Sequence, residues 1–246
     1  ISGKVIAFGA RLIKDEKNQP KYINSPETEL YIKSKVLYGL YQSKNHIRKF
    51  DKCYLVEGYT DVISLFQIGI ENVVSSSGTS LTKDQIRLIS RYTKNITILF
   101  DGDTAGVNAS LRGMDLILEN DMNVNIVSFP ENEDPDSLSK RLGKQKFLNH
   151  LSNNEIDLIR YKVDILNSDF KNDPIKKSEM IFDIVRSISK IPNSIKRSVF
   201  IKETSSSLNI NEESLITEMN KLLINNKVSK STMEFNKLED NKDEIN

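Results

Sequence analysis

The sequence predicts an α/β protein: a parallel sheet flanked by helices, preceded by a short α/β segment and followed by an α-helical bundle. Two observations carry the prediction. From residue 53 onward, short apolar runs alternate with helix-patterned segments, as expected for parallel strands joined by crossover helices. Residues 155–226 carry apolar side chains at i, i+3, i+4 spacing with no strand rhythm, as expected for a helical bundle.

Taken in order, "KVIAFGARLI" (4–13) and "PKYIN" (20–24) read as two strands around the polar turn "KDEKNQ". "SPET" then offers Ser25 as an N-cap and Pro26 as the first helical residue of "ELYIKSKVLYGLYQSK" (29–44). "CYLVEG" (53–58) is a strand and turn, and "DVISLFQIG" (61–69) a helix closed by Gly69. "NVVSSSG" (72–78) is a second strand, and "LTKDQIRLISRY" (81–92) a helix with Thr82 and Gln85 spaced as a capping box. "ITILF" (96–100) and "AGVNASLRGMDLILEN" (105–120) form the third pair. "VNIVSF" (124–129) is the fourth strand, and the helix "EDPDSLSKRLGKQKFLNHL" (133–151) has Pro135 in its first turn. Four helices follow in 155–226: "EIDLIRYKVDIL", "KKSEMIFDIVRSISKI", "SIKRSVFIKETSSSL" and "EESLITEMNKLLI". The Asn-, Lys- and acid-rich tail 227–246 reads as a disordered linker.

Composition narrows the function classes. A single cysteine, Cys53, excludes a disulfide framework and a cysteine-built zinc site. It sits in a strand-like run and reads as a buried thiol. With no membrane-length apolar stretch and no signal peptide, the expected setting is soluble and cytoplasmic, with no membrane partner. The chain opens without Met directly into a strand pattern, as a piece of a longer protein would. Charge is uneven. Residues 1–52 hold eleven Lys/Arg against five Asp/Glu (net +6), and residues 53–150 hold nine against thirteen (net −4). A basic segment beside an acidic one suits an anionic substrate bridged by a cation, and equally suits an unevenly charged solvated surface.

The acids are not scattered. Glu57 follows the first strand and Asp61 falls in the next helical turn. Asp101 and Asp103 follow the third strand, in "ILFDGDTAG", and Asp134 and Asp136 follow the fourth. In a parallel sheet these ends share one edge, where open α/β sheets bind ligands. Two carboxylates about 4 Å apart repel by about 4 kcal/mol at an effective dielectric of about 20. Helix N-termini offset only about 0.3–1 kcal/mol each. A hard divalent cation is the economical remedy, and Mg²⁺ suits oxygen ligands completed by phosphate. Alone, "DGD" is a common turn, "EGYTD" a helix-capping pair and "EDPD" an ordinary helix start. The functional reading rests on all three landing at strand ends of one array.

The stretches "YLVEGYTDVISL", "SSSGTSLTKDQIRLI", "ILFDGDTAG" and "FPENEDPDSL" resemble the TOPRIM domain of topoisomerases and primases. The resemblance is nearest to the bacterial replicative (DnaG-type) primases, and residues 3–44 are similar to the segment leading into TOPRIM there. It implies the end of an N-terminal α/β subdomain (1–50), a TOPRIM domain (51–152), a helical bundle (153–226) and a linker (227–246). It implies Glu57, Asp101 and Asp103 as catalytic, with these three and Asp61, Asp134 and Asp136 as metal ligands. It implies Arg11, Lys21 and Lys33 as phosphate-facing residues, and Tyr22, beside Lys21, is a candidate to stack on a base. Tyr31, Tyr38 and Tyr41, at helical spacing, read as packing residues. Type II topoisomerases usually carry a third aspartate two residues after the pair, where this chain has Ala105.

The implied function is RNA primer synthesis on single-stranded DNA by metal-dependent nucleotidyl transfer during DNA replication. Mg²⁺ is the implied cofactor, with Mn²⁺ able to substitute and no zinc site in these residues. The implied partners are single-stranded DNA template, ribonucleoside triphosphates, the RNA primer–DNA hybrid, and the replicative helicase through a domain absent from this chain. Activity of the isolated piece is left open. Two alternatives stay open at this point: a TOPRIM nuclease or topoisomerase-like enzyme that cuts DNA, and a non-catalytic DNA- or protein-binding module.

Overall fold

A computed structural model describes residues 3–12, 22–77, 80–100, 107–130, 133–169 and 173–226. The chain divides into two compact units, residues 1–158 and 159–246.

The first unit begins with a small antiparallel ladder, β1 (Gly9–Arg11) on β2 (Tyr22–Asn24), in which Gly9 faces Asn24 and Arg11 faces Tyr22. The helix expected over 29–44 is absent. A single 3-10 turn, Lys33–Lys35, stands in its place, and helix α1 runs later, Leu40–Phe50. Two causes are visible. Ser25 does not cap a helix, because its hydroxyl accepts from the Phe8 amide at 3.0 Å and its own amide donates to the Phe8 carbonyl at 2.9 Å, prolonging the ladder. The carbonyls of Lys33 and Val36 accept from the Gln85 side-chain amide at 3.1 and 2.9 Å, so distant hydrogen bonds replace helical ones. Gly39, in the left-handed region at φ +81°, then sets the start of α1.

The rest of this unit alternates as predicted: β3 (Cys53–Val56), α2 (Tyr59–Gln67), β4 (Val73–Ser75), α3 (Lys83–Ser90), β5 (Asn95–Phe100), α4 (Val107–Glu119), β6 (Asn123–Ser128) and α5 (Pro135–Asn154). Thr82 caps α3 through the predicted box, its hydroxyl accepting from the Gln85 amide at 3.2 Å. The sheet order is β4-β3-β5-β6-β7, with the first four strands parallel. All four residues of β3 are buried, as expected for a strand covered on both faces. Tyr54, Val56, Leu99 and Val127 form one core with Val62 and Leu65 of α2 and Leu138, Phe147 and Leu151 of α5. Cys53, Leu55, Ile96, Ile98, Val124 and Ile126 alternate with them and are buried toward the other face. Burial pushes the Cys53 thiol up, keeping it protonated and inert.

The two-residue strand β7 (Ile156–Asp157) has no counterpart in the sequence reading and pairs antiparallel with Asn125–Ile126. Beside it, Glu155 accepts from Lys52 Nζ at 2.9 and 2.8 Å, Thr97 Oγ1 at 2.6 Å and Asn125 Nδ2 at 2.9 Å. The clamp ties the start of β7 to three places near the amino ends of the sheet strands.

In the second unit, α6 (Leu158–Asp169) leads into α7 (Pro174–Ser189), α8 (Ser194–Leu208) and a helix over 212–226. Asp173 and Asn193 cap α7 and α8 with side-chain oxygens. Lys162 is fully buried, donating to Asp183 at 2.9 Å and to Ser187 at 2.6 Å. The predicted linker over 227–246 lies outside the described residues.

Candidate active site

The carboxyl ends of the parallel strands position the acids. β3 ends at Val56, Glu57 and Gly58 make the turn, and α2 begins at Tyr59. Asp61, in the first turn of α2, accepts from the Gly58 amide at 2.9 Å, which holds its carboxylate back toward the strand end. It is only 6% exposed. Burial pushes its pKa up to about 6, the Gly58 amide pulls the other way, and the charges of Asp134, Asp136 and Glu57 push it further up. Four of the predicted acids therefore share one neighbourhood.

They are not equivalent. Asp134 is the N-cap of α5, its Oδ1 accepting from the Ser137 amide at 2.7 Å, so one of its oxygens is committed to the helix start. Asp136 is compensated. Burial would raise its pKa, but hydrogen bonds from Lys140 (2.6 Å) and the Ser64 hydroxyl, with the charges of Lys140 and Arg11, hold it below the usual carboxylate range. Glu57 is exposed. Asp101 and Asp103 lie outside the described residues. The strand that leads to them, β5, lies between β3 and β6 with Phe100 opposite Ser128.

Of the basic residues, Arg11 is exposed on β1, and its charge reaches Asp136. Lys33 is half-buried in the 3-10 turn, its amide bonded to Glu27 at 2.9 Å. It lines a cleft of about 520 Å³ together with Tyr31, Tyr38, Tyr59, Ser76 and Ser77. Lys21 and the side chain of Tyr22 lie outside the described residues. Tyr31 is buried, whereas Tyr38 is 41% and Tyr41 44% exposed.

Five participants escaped the sequence reading, among them Ser64, whose hydroxyl bonds to Asp136. Lys140 stands one helical turn after Asp136, and that i, i+4 pair was available as a signal. Asn24, Tyr59 and Ser77 meet across long sequence separations, and no local pattern announces them. The Tyr59 hydroxyl bonds to Asn24 Oδ1, and Asn24 Nδ2 donates to the Ser77 carbonyl at 3.2 Å.

The donor set fits a hard cation. Its oxygens are carboxylates, and Asp61 is raised by burial and like charge, a state that a bound cation relieves. Among the described residues no three of His, Cys, Asp and Glu are close enough to hold an ion alone.

A profile described as Toprim-like matches residues 54–139, and one described as DNA primase catalytic core, N-terminal domain, matches residues 1–44. The DNA primase of Clostridium acetobutylicum is 40% identical over 243 residues, covering 97% of this chain and 39% of that protein. A DNA primase domain from Pseudomonas aeruginosa superposes with a TM-score of 0.76 at 33% identity, covering 90% of this chain and 68% of that one. The chain belongs to the bacterial DnaG-type primase family. A structure of the DnaG primase catalytic domain bound to ssDNA is also similar, with a TM-score of 0.71 at 32% identity, covering 83% of this chain and 66% of that one. Across the first relatives the chain spans 36–39% of their length, and it corresponds to part of the DnaG catalytic core. No helix of the described residues is long and apolar enough to cross a membrane.

Proposed function

We propose that this chain is the portion of a primase core that holds metal and nucleotide while ribonucleotides are joined on single-stranded DNA. One observation carries the reading. At the carboxyl edge of the sheet, buried Asp61 is crowded by Glu57, Asp134 and Asp136, while basic Arg11 reaches the same cluster from the β1–β2 ladder. Acids beneath and cations opposite are what a metal-bound triphosphate requires.

Asp101, Asp103 and Glu57 would hold Mg²⁺, with Asp61, Asp134 and Asp136 completing its surroundings. Bound there, Mg²⁺ supplies activation of a 3′ hydroxyl and stabilisation of charge on departing pyrophosphate. Asp61 gives up its fractional proton as the site fills, so metal uptake is tighter above its pKa of about 6 than below. Asp136, already paired with Lys140 and Ser64, orients neighbours rather than acting as a primary ligand. Arg11, Lys21 and Lys33 track phosphates, and Tyr22 stacks on a base. The similarity to a DnaG catalytic domain bound to ssDNA supports single-stranded template as the partner. Ribonucleoside triphosphates and the primer–template hybrid are the other proposed occupants, and helicase contact is assigned to a region outside these residues. The proposed domains are 1–50, 51–152, 153–226 and the linker 227–246.

The test uses the full-length protein. Mn²⁺ affinity, read by electron paramagnetic resonance, should fall about tenfold or more in Asp101→Ala, and primer synthesis should be lost. Unchanged Mn²⁺ affinity would sink the assignment. Degradation of DNA with Mg²⁺ and no nucleotides would replace joining by cutting.

A further inference from the structure

The β1–β2 ladder is short and outward-facing. It has three residue pairs, and all three residues of β1 are exposed. Among the described side chains no buried apolar seam fixes its angle to the sheet, for Ile23 of β2 is exposed as well. Contacts at the Gly9–Asn24 pair hold it instead. Gly9 and Asn24 are directly opposite in the ladder and so share a face. Tyr59, the first residue of α2, meets both. A Cβ built on Gly9 would lie 2.5 Å from the Tyr59 ring, so the ring rests on bare backbone there. The Tyr59 hydroxyl bonds to Asn24 Oδ1, and Asn24 Nδ2 reaches the Ser77 carbonyl at 3.2 Å, just past the end of β4. Tyr38 supports the ring edge-on at a centroid distance of 4.7 Å. Three segments thus close on one ladder pair. Arg11 lies two residues beyond Gly9, on the same ladder face, and its charge reaches Asp136.

We propose that Tyr59, Asn24 and Gly9 form a latch that sets the height of Arg11 over the acidic edge, and so the width of the gap that an incoming triphosphate must bridge. This rests on the function proposed above. Tyr59 is then a positioning residue. It stands between Gly58 and Thr60 in the turn that also places Glu57 and Asp61, so one short segment fixes the acids and the cations that face them.

The test uses the full-length protein and three variants. Tyr59→Phe keeps the ring on Gly9 and removes only the hydroxyl. Loss of the hydroxyl, and with it the bonds to Asn24, Ser77 and Tyr31, predicts a rise of about fivefold in KM for ribonucleoside triphosphate, with kcat and Mn²⁺ affinity held. Gly9→Ala displaces the ring and should raise KM in the same direction. In the double variant the two changes act through one contact, so KM should rise no further than in the worse single. Hydrogen exchange at the amides of 9–11 and 22–24 gives a readout independent of activity and should quicken about fivefold in Tyr59→Phe. Unchanged exchange in that variant overturns the latch whatever the activity. So do multiplicative effects in the double variant, or a fall in kcat at constant KM. A wild-type protein that neither binds Mn²⁺ nor makes primers instead refutes the proposed function, and the exchange result still judges the latch.

Discussion

Replacing Asp61 by Asn should make the metal-free protein more stable and the metal-bound protein weaker. The folded environment raises the Asp61 pKa from 3.8 to about 6, first through burial and then through the neighbouring carboxylates. Each unit is worth about 1.4 kcal/mol, so the ionised group opposes folding by about 3 kcal/mol at neutral pH. Because the folded state holds the proton more tightly, the favourable contribution is complete below pH 3.8. It disappears as pH rises through about 6 and is constant above that. Asn occupies the same volume and its Oδ1 can still accept from the Gly58 amide. Urea unfolding at pH 7.5 without metal should therefore show Asp61→Asn to be about 2–3 kcal/mol more stable than wild type. At pH 4 the gain should shrink to less than about 1 kcal/mol. Adding saturating Mn²⁺ should reverse the order, because wild type gains binding energy that the variant lacks. A variant no more stable than wild type at pH 7.5, or a gain that persists unchanged at pH 4, would refute the electrostatic account of this edge.

Removing the Glu155 clamp leaves the buried hydroxyl of Thr97 and the amide of Asn125 without their acceptor. Glu155→Ala should cost about 4 kcal/mol in urea unfolding, because the hydrogen bonds lost from Lys52, Thr97 and Asn125 all end on one carboxylate. Burial would raise the Glu155 pKa, but Lys52, Thr97 and Asn125 outweigh it and hold it low. The clamp's stabilisation is therefore present above pH 4.5 and lost as pH falls through the lowered pKa; a pH-independent difference between wild type and Glu155→Gln would contradict this. Lys162→Ala should cost about 3 kcal/mol by emptying a buried space and withdrawing the ammonium from Asp183, which keeps Arg186, and Lys162→Met should recover more than half by refilling the space. Equal losses in the two, measured by urea midpoint, would assign the effect to the lost ion pair alone. Lys33→Ala should weaken single-stranded DNA binding evenly across sequences and reduce the log–log salt slope by about 0.7 in fluorescence titrations. An unchanged slope would remove Lys33 from the phosphate track.

The strand–helix rhythm from residue 53 to 154 was legible because each element carries its own signal. The β3 run is apolar throughout, Thr82 and Gln85 cap α3, Pro135 opens α5, and Asn193 precedes a helix whose span matches the periodic segment 194–208. The helix expected at 29–44 failed because periodicity reports which residues seek burial, not which partner satisfies the backbone. There the carbonyls go to Gln85, about fifty residues away. β7 is too short to show a period, and its existence depends on Glu155 finding Lys52, Thr97 and Asn125. At the candidate site the acids were legible as strand ends. What escaped was their inequality: capping occupies Asp134, Lys140 and Ser64 satisfy Asp136, and burial leaves Asp61 under strain. Those differences come from contacts that only folding creates.

The Glu155 clamp also has a mechanical consequence. The peptide that leaves the sheet toward the second unit passes through Glu155, Ile156 and Asp157 before entering α6. Tension along the chain from the helical unit therefore arrives first at a two-residue ladder and one carboxylate. Lys52, Thr97 and Asn125 hold that carboxylate from separate segments, so a pull is shared among β5, β6 and the residue before β3 instead of peeling a single edge. A tug transmitted along the chain from the helical unit would load the amino ends of the sheet and spare the opposite end, where Glu57, Asp61, Asp134 and Asp136 gather.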